Sequence, residues 1–338
     1  MGLMRKAKIT LRDVAAKAGV SPSAVSRAFT DGASVSLAMR ARVEAAAAAL
    51  GYRPNALASS LTTGRSKLIG LVANNFQNPV FLDIFDQFTR GLQQMGLRPL
   101  LVNLSDVSDI EQAAAMLRQY SVDGVVVASS TLPAGLVEQF YEEGVPVVHA
   151  FGRHDPQARV NVVGIDNHAA GRLAGETLIA RGYREIGFLG GPEGATSTQD
   201  RLAGFRAALA EAGLTCRARF VPAYRFEAGQ AAMSAELSAG PAEVYFCGDD
   251  ILSIGAMAAI GAAGLGCPDD IGILGLNDMA MAAWPNIRLT TIAQPIEAIV
   301  GAALSLVVRL SEYPSPQAEA QMFPCHLVER ASLRALNP

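Results

Sequence analysis

Two patterns of apolar and polar positions divide the chain. From Leu68 onward short apolar runs alternate with amphipathic stretches. The runs are LIGLVA from Leu68, RPLLVNL from Arg98, DGVVVAS from Asp123, VPVVHAF from Val145, NVVGID from Asn161, EIGFLGG from Glu185, EVYFCGD from Glu243 and IGILGLND from Ile271. Nearly continuous apolar strands alternating with helices predict parallel sheets covered by helices on both faces, because a strand buried on both sides has no polar side to alternate. Residues 68–338 are too many for one such sheet, so two doubly wound α/β subdomains are predicted, with ligands bound beyond the carboxyl ends of the strands.

Before Leu68 the period is helical and the side chains are small. Residues 12–29 read RDVAAKAGVSPSAVSRAF, with alanines and valines spaced for two short helices on either side of Gly19. Thr10 is a candidate N-cap for a helix over about Leu11 to Ala18, and Gly19 suits the left-handed position after it. Ser21 can cap the next helix, with Pro22 at its first position, running to about Thr30. Neither helix can bury its apolar face alone. VSLAMRARVEAAAAALGY, Val35 to Tyr52 with Ser36 as its cap, supplies a third. The pattern predicts a three-helix helix-turn-helix headpiece whose second helix keeps a free polar face for a major groove.

Charge sharpens this division. Met1 to Lys67 holds 11 Lys+Arg against 3 Asp+Glu, whereas the remaining residues hold 17 against 28, so a basic module rides on an acidic body. That is the electrostatic footprint of nucleic-acid binding, although an ordinary solvated basic segment has the same balance. No apolar run is long enough to span a membrane, and MGLMRKAKIT has no apolar signal core. Cys216, Cys247, Cys267 and Cys325 are scattered, which suggests neither zinc nor disulfides and fits a cytoplasmic protein.

With these residues in hand, the stretch from Thr10 to Val72 resembles the headpiece and hinge of the lactose/galactose-repressor family of bacterial transcription factors, and later motifs extend the likeness over nearly the whole chain. The resemblance implies a headpiece over 1–52, a hinge helix and linker over 53–67, and a periplasmic-binding-protein-like effector-binding and dimerisation domain over 68–338. It implies a repressor that binds a palindromic double-stranded DNA operator with a central CpG step as a homodimer. Pro22, Ser23 and Arg27 fall where the recognition helix faces bases. Arg27 suits a bidentate guanine contact, the competing reading being a phosphate contact. Ser21, Ser26 and Asn55 suit phosphate positioning or capping, and Thr10 and Ala58 complete the DNA-contacting set. Ala24, Met39 and Ser59 depart from the family's usual residues, which removes possible backbone contacts. Leu61 matches the leucine that wedges into the minor groove, the alternative being packing within the headpiece.

In the body the resemblance implies crossovers between subdomains near Asp166, Ala293 and Pro324. It places Asn74, Asn78, Phe81, Phe151, Arg153, Asp166, Arg201, Asp249, Asn277, Trp284 and Gln294 at the strand ends as candidate effector-binding residues. Aromatic faces with Asp, Asn and Arg suit a sugar, polyol or sugar acid. Helix capping is the competing role for Asp166 and Asp250. Asn277 stands where the family commonly has Asp, which favours a ligand carrying an acceptor or carboxylate.

Rival classes fare worse. The chain has no GxSxG, HExxH, GxxxxGK[ST] or post-strand GxGxxG, and His149, His154, His168 and His326 have no ligand spacing, so no enzyme, cofactor or metal site is expected. A sugar-binding protein without a DNA role would lack the basic headpiece. ERASLRALNP carries no heptads, so a dimer without a tetramerising tail is expected. Effector binding is expected to change the angle between subdomains and so bias a helix–coil equilibrium of the hinge at DNA.

Overall fold

Thr10 opens the first helix by turning its own N–H and hydroxyl onto the carboxylate of Asp13, at 2.7 and 2.8 Å. This fixes α1 (Leu11–Ala18), which Gly19 ends at φ 64°. In this computed structural model, residues 9–30, 33–53, 60, 64–73, 75–104, 110–129, 135–141, 143–155 and 160–336 are described. Asn55, Ala58 and Leu61 of the expected DNA-contacting set, and Asn74 of the effector set, lie outside them. Cα packing divides the chain into Met1–Lys67 and Leu68–Pro338.

In the first unit, the Ser21 hydroxyl accepts from the Ala24 N–H and caps α2 (Pro22–Ala28), with Pro22 at its start. Ser36 caps α3 (Leu37–Leu50), and Gly51 ends it at φ 67°. The core is made of small side chains: Val14, Ala15, Ala18, Val25, Ala28, Val43, Ala46 and Ala47 are all buried. Arg40 ties α3 to α2 by donating to the Ala28 carbonyl at 2.6 Å. Such small side chains let short helices approach closely, and none of the three would persist alone.

The second unit holds two six-stranded sheets. The first runs β11-β5-β4-β3-β1-β2, with β1 (Leu68–Ala73), β2 (Arg98–Asn103), β3 (Gly124–Ala128), β4 (Val147–Ala150), β5 (Asn161–Ile165) and β11 (Ala320–Phe323), all parallel. The second runs β12-β10-β9-β8-β6-β7, with β6 (Ile186–Gly190), β7 (Cys216–Phe220), β8 (Val244–Cys247), β9 (Gly272–Asn277), β10 (Thr291–Ala293) and β12 (His326–Val328); only the β10–β12 pair is antiparallel. In β3, Val125 and Val127 enter one apolar cluster while Val126 and Ala128 enter the other, so both faces are dry. Each such valine stabilises the fold by about 1.5–3 kcal/mol when fully buried.

The helices are α4 (Val80–Gln94), α5 (Ile110–Gln119), α6 (Leu136–Tyr141), α7 (Asn167–Ala180), α8 (Thr196–Glu211), α9 (Phe226–Ala239), α10 (Asp250–Ala262) and α11 (Ile296–Glu312), with a 3-10 turn at Ala280–Ala283. The chain passes between sheets after β5, after β10, and between Phe323 and His326. These are the three expected places. None of the described helices is long and apolar enough to cross a membrane.

Candidate functional site

In the headpiece, Val25 and Ala28 point into the core, which leaves Pro22, Ser23 and Arg27 on the exposed side of α2. Arg27 Nε donates only weakly to the Ser23 carbonyl, at 3.4 Å. Its guanidinium is thus held near the helix surface, with no carboxylate partner among the described residues. Ser21 is occupied as a cap, Thr10 is engaged with Asp13, and Ser26 is partly buried and accepts through its carbonyl from Thr30.

In the body, a cavity lined by residues of both subdomains lies beyond the carboxyl ends of the strands of both sheets, where doubly wound folds bind their ligands. The loop after β1 supplies Asn75 and Asn78, and α4 supplies Val80, Phe81 and Ile84. The ends of β4 and β5 supply Phe151 and Ile165, α7 supplies Asn167, and α8 supplies Ser197 and Arg201. Tyr224, Asp249, Asn277, Gln294 and Ile296 complete the lining.

Asp249 organises one end. Its side chain caps α10 through the Ile251 N–H at 2.8 Å, and its other oxygen accepts from Asn78 Nδ2 at 2.7 Å and Asn277 Nδ2 at 2.8 Å. Asn277 Oδ1 in turn accepts from Gln294 Nε2 at 2.5 Å. Burial pushes the Asp249 carboxyl up to about 6, against these donors and the nearby Arg201 charge. Asn78 belongs to the first subdomain and Asp249 to the second, so this bond crosses the cleft. The Asn277 amide, expected to face the ligand, has both polar atoms engaged by protein groups. A neutral amide suits this position because it must donate to a carboxylate.

Arg201 organises the other end. It is 7% exposed. Nε donates to Asn167 Oδ1 at 2.8 Å and Nη1 to the Gly248 carbonyl at 2.6 Å. Two glycines bring its helix against α7. A Cβ on Gly171 would strike the Arg201 carbonyl, and one on Gly204 would strike the His168 carbonyl.

Three expected effector residues stand elsewhere. Arg153 grips Asp200 with two hydrogen bonds, at 2.7 and 2.5 Å, and reaches the Thr196 carbonyl, on an open flank of the cavity. Asp166 caps α7 by accepting from the Ala169 N–H at 2.9 Å and lines the same flank. Trp284 is 51% exposed, because the 3-10 turn buries Met279 and Ala282 and carries the indole outward. Asn78, Phe81, Phe151, Arg201, Asp249, Asn277 and Gln294 do converge on the cavity. The reading from sequence missed Asn167, Ser197 and Tyr224. Asn167 follows the β5 strand end, and Ser197 lies four residues before Arg201 on the same helical face, signals that were present.

Asp250 is fully buried outside the cavity lining, accepts from Thr291 Oγ1 at 2.6 Å and the Met279 N–H at 2.8 Å, and is pushed up to about 7 by burial. It joins β10 to the segment after β9. His149, buried against the Ser129 carbonyl at 2.8 Å, is held near 4 by desolvation and is a neutral core residue. No cluster that could hold a metal ion occurs among the described residues.

Comparison with known proteins places this geometry. The model of a periplasmic binding protein-like domain matches residues 176–333, and that of bacterial regulatory proteins, lacI family, matches residues 10–55. The HTH-type transcriptional repressor PurR of Photorhabdus laumondii subsp. laumondii is 35% identical over 338 residues, covering 96% of this chain and 96% of that protein. Among solved structures, the Lac repressor dimer bound to operator and the anti-inducer ONPF superposes with a TM-score of 0.86 at 27% identity, covering 97% of this chain and 100% of that one. The transcriptional regulator CelR–cellobiose complex superposes with a TM-score of 0.72 at 28% identity, covering 96% of this chain and 100% of that one. With full-length relatives at this identity, and both the headpiece and the body matched, the chain belongs to the lacI family of bacterial regulatory proteins.

Proposed function

We propose that this repressor binds a palindromic operator as a homodimer and that a carbohydrate-like effector in the body sets its operator affinity. It acts by binding rather than turnover, on DNA in the cytoplasm. The observation that carries the reading is the cavity built from both subdomains, with Asn78 of one bonded across it to Asp249 of the other. A ligand that fits only the closed arrangement shifts the angle between subdomains. A tenfold difference in effector affinity between two states, about 1.4 kcal/mol, is enough to shift operator occupancy tenfold. In the headpiece, the exposed Pro22, Ser23 and Arg27 form the base-reading face. The aromatic rings of Phe81, Phe151 and Tyr224 cover apolar sugar faces, and the Asp249–Asn277–Gln294 network takes hydroxyls. The operator and cellobiose named in the two solved relatives agree with both halves of this reading.

The test is a thermal-shift screen of sugars, polyols, sugar acids, purines and amino acids, followed by gel shifts with the responding compound. Arg201→Ala is expected to abolish the ligand response while operator binding persists. Stabilisation by purines or amino acids alone overturns the carbohydrate assignment. An intact response in the variant removes Arg201 from the site.

A further inference from the structure

The two polar ends of the cavity are chemically unequal. Around Asp249 each amide nitrogen is engaged: Asn78, Asn277 and Gln294 each donate to a protein oxygen. Around Arg201 donors outnumber acceptors. The guanidinium uses Nε and Nη1 on two neutral oxygens, and Nη2 has no hydrogen-bond partner among the described residues. No carboxylate there lies within ion-pairing distance of it; Asp249 acts on it only from beyond contact. The Asn167 amide nitrogen has no partner either, since only its oxygen is engaged.

Ser197 adds an independent observation. It is 3% exposed, and its hydroxyl is the buried side-chain polar atom without a hydrogen bond among the described residues. An unsatisfied buried hydroxyl is costly, so a native protein keeps one where a partner arrives. Ser197 sits in the first turn of α8, a 16-residue helix whose N-cap is Ala195, with no side-chain cap and no acidic residue in that turn. The first N–H groups of a helix lack partners within it, and the aligned peptide dipoles make that end positive. Ser197, Arg201 one turn on, and Asn167 therefore bring three side-chain donors to the cavity beside a helix N-terminus without a side-chain cap.

We propose that the effector is a small polyhydroxylated monocarboxylate, a sugar acid, whose carboxylate seats at the N-terminus of α8 against Ser197, Arg201 and Asn167. This rests on the carbohydrate reading of the cavity. The carboxylate supplies the counter-charge that buried Arg201 lacks in contact, and it accepts from the Ser197 hydroxyl. The hydroxylated carbons extend toward Asp249, between Phe81, Phe151 and Tyr224. A single charge matches better than a phosphate dianion, because Arg201 is the one cationic side chain among the described residues of the lining and Asp249 opposes further negative charge.

The experiment is calorimetric titration of the full-length protein with D-gluconate, D-glucuronate, D-galacturonate, D-glucose, D-glucitol, glucose 6-phosphate and a purine base. The best acid is expected to bind at least about tenfold more tightly than its neutral counterpart. Ser197→Ala, which removes one buried oxygen and should fold, is expected to weaken the acid about three- to tenfold and the neutral compound less than about twofold. Arg201→Gln is expected to erase the preference for the acid. Neutral sugars binding as well as or better than every acid overturns the proposal and leaves the carbohydrate reading standing. Preference for the phosphosugar overturns it in favour of a dianion. Binding of the purine alone overturns both readings, and an acid preference unchanged in both variants moves the carboxylate to another part of the cavity and overturns the assignment.

Discussion

Replacing Asn277 by Asp exchanges one N–H donor for a second buried carboxylate. In the wild type, Asn277 Nδ2 lies 2.8 Å from Asp249 Oδ2, while its Oδ1 is held by Gln294. The new carboxylate keeps the Gln294 bond and turns its other oxygen onto Asp249. Two like charges about 4 Å apart at an effective dielectric of 20 repel by about 4 kcal/mol. The pair therefore takes up a proton, as carboxylates sharing a site do.

Burial already holds Asp249 at about 6, and a second carboxylate raises the first protonation of the pair further. Holding one proton at pH 7 costs about 1.4 kcal/mol for each unit by which that pH exceeds the unfolded carboxyl value near 3.9, or about 4 kcal/mol. The hydrogen bond formed by the shared proton returns about 1–2 kcal/mol. The expected net loss at pH 7 is thus about 2–3 kcal/mol, and a body of this size loses roughly 2–4 °C of Tm for each of these. The sign follows from the raised folded-state value. The penalty is absent below the unfolded value and grows as pH rises through the folded one, so the deficit against wild type should shrink to under about 1 kcal/mol near pH 4.5. Urea unfolding across pH 4.5–8 measures it. The double exchange Asp249→Asn with Asn277→Asp restores one carboxylate and one amide and should recover most of the loss. A deficit below about 0.5 kcal/mol that does not vary with pH, or a double variant as weak as the two single losses added together, would refute the reasoning.

Two further outcomes test other parts of the molecule. Arg27→Ala should relax preference at one base pair per half-site by about 1–3 kcal/mol in a gel-shift series of operator variants, whereas a uniform loss over all variants identifies a phosphate contact. Gly204→Ala should force α7 and α8 apart at the His168 carbonyl, cost about 1–3 kcal/mol or more in unfolding experiments, and weaken effector binding by moving Asn167 from Arg201; unchanged stability would mean the helices yield without strain.

How much of this was readable in advance follows the range of the interactions. Thr10, Gly19, Ser21 with Pro22, Ser36 and Gly51 start or stop helices through bonds reaching three or four residues, so the headpiece helices were legible from local chemistry. The buried central strands were legible from their apolar runs. Edge strand β7, CRARF, was not, because two arginines on a half-solvated edge erase the apolar signal. The short β10 and β12 are too brief to carry a period, and the exposed edge strand β11 lacks one. The resemblance gave Arg201 and Asp249, but it also offered Arg153, Asp166 and Trp284, whose residue types suit a ligand equally well.

What the sequence by itself determined was the division into a small-residue helical module and an α/β body, the order of their principal elements, and the donors and acceptors available at the strand ends. Those depend on backbone preferences and periodicity, which act along the chain. What only the tertiary structure decided was which of those groups are already satisfied. Asn78 meets Asp249 across 171 positions. Asn277 is consumed by Asp249 and Gln294, Arg153 by Asp200, and Asp166 by its own helix, while Ser197 is left with a buried hydroxyl and no partner. A hydrogen bond needs its partners within about 3 Å, and distances between remote segments are set by how helices and sheets pack, here by the close crossing of α7 and α8 at Gly171 and Gly204.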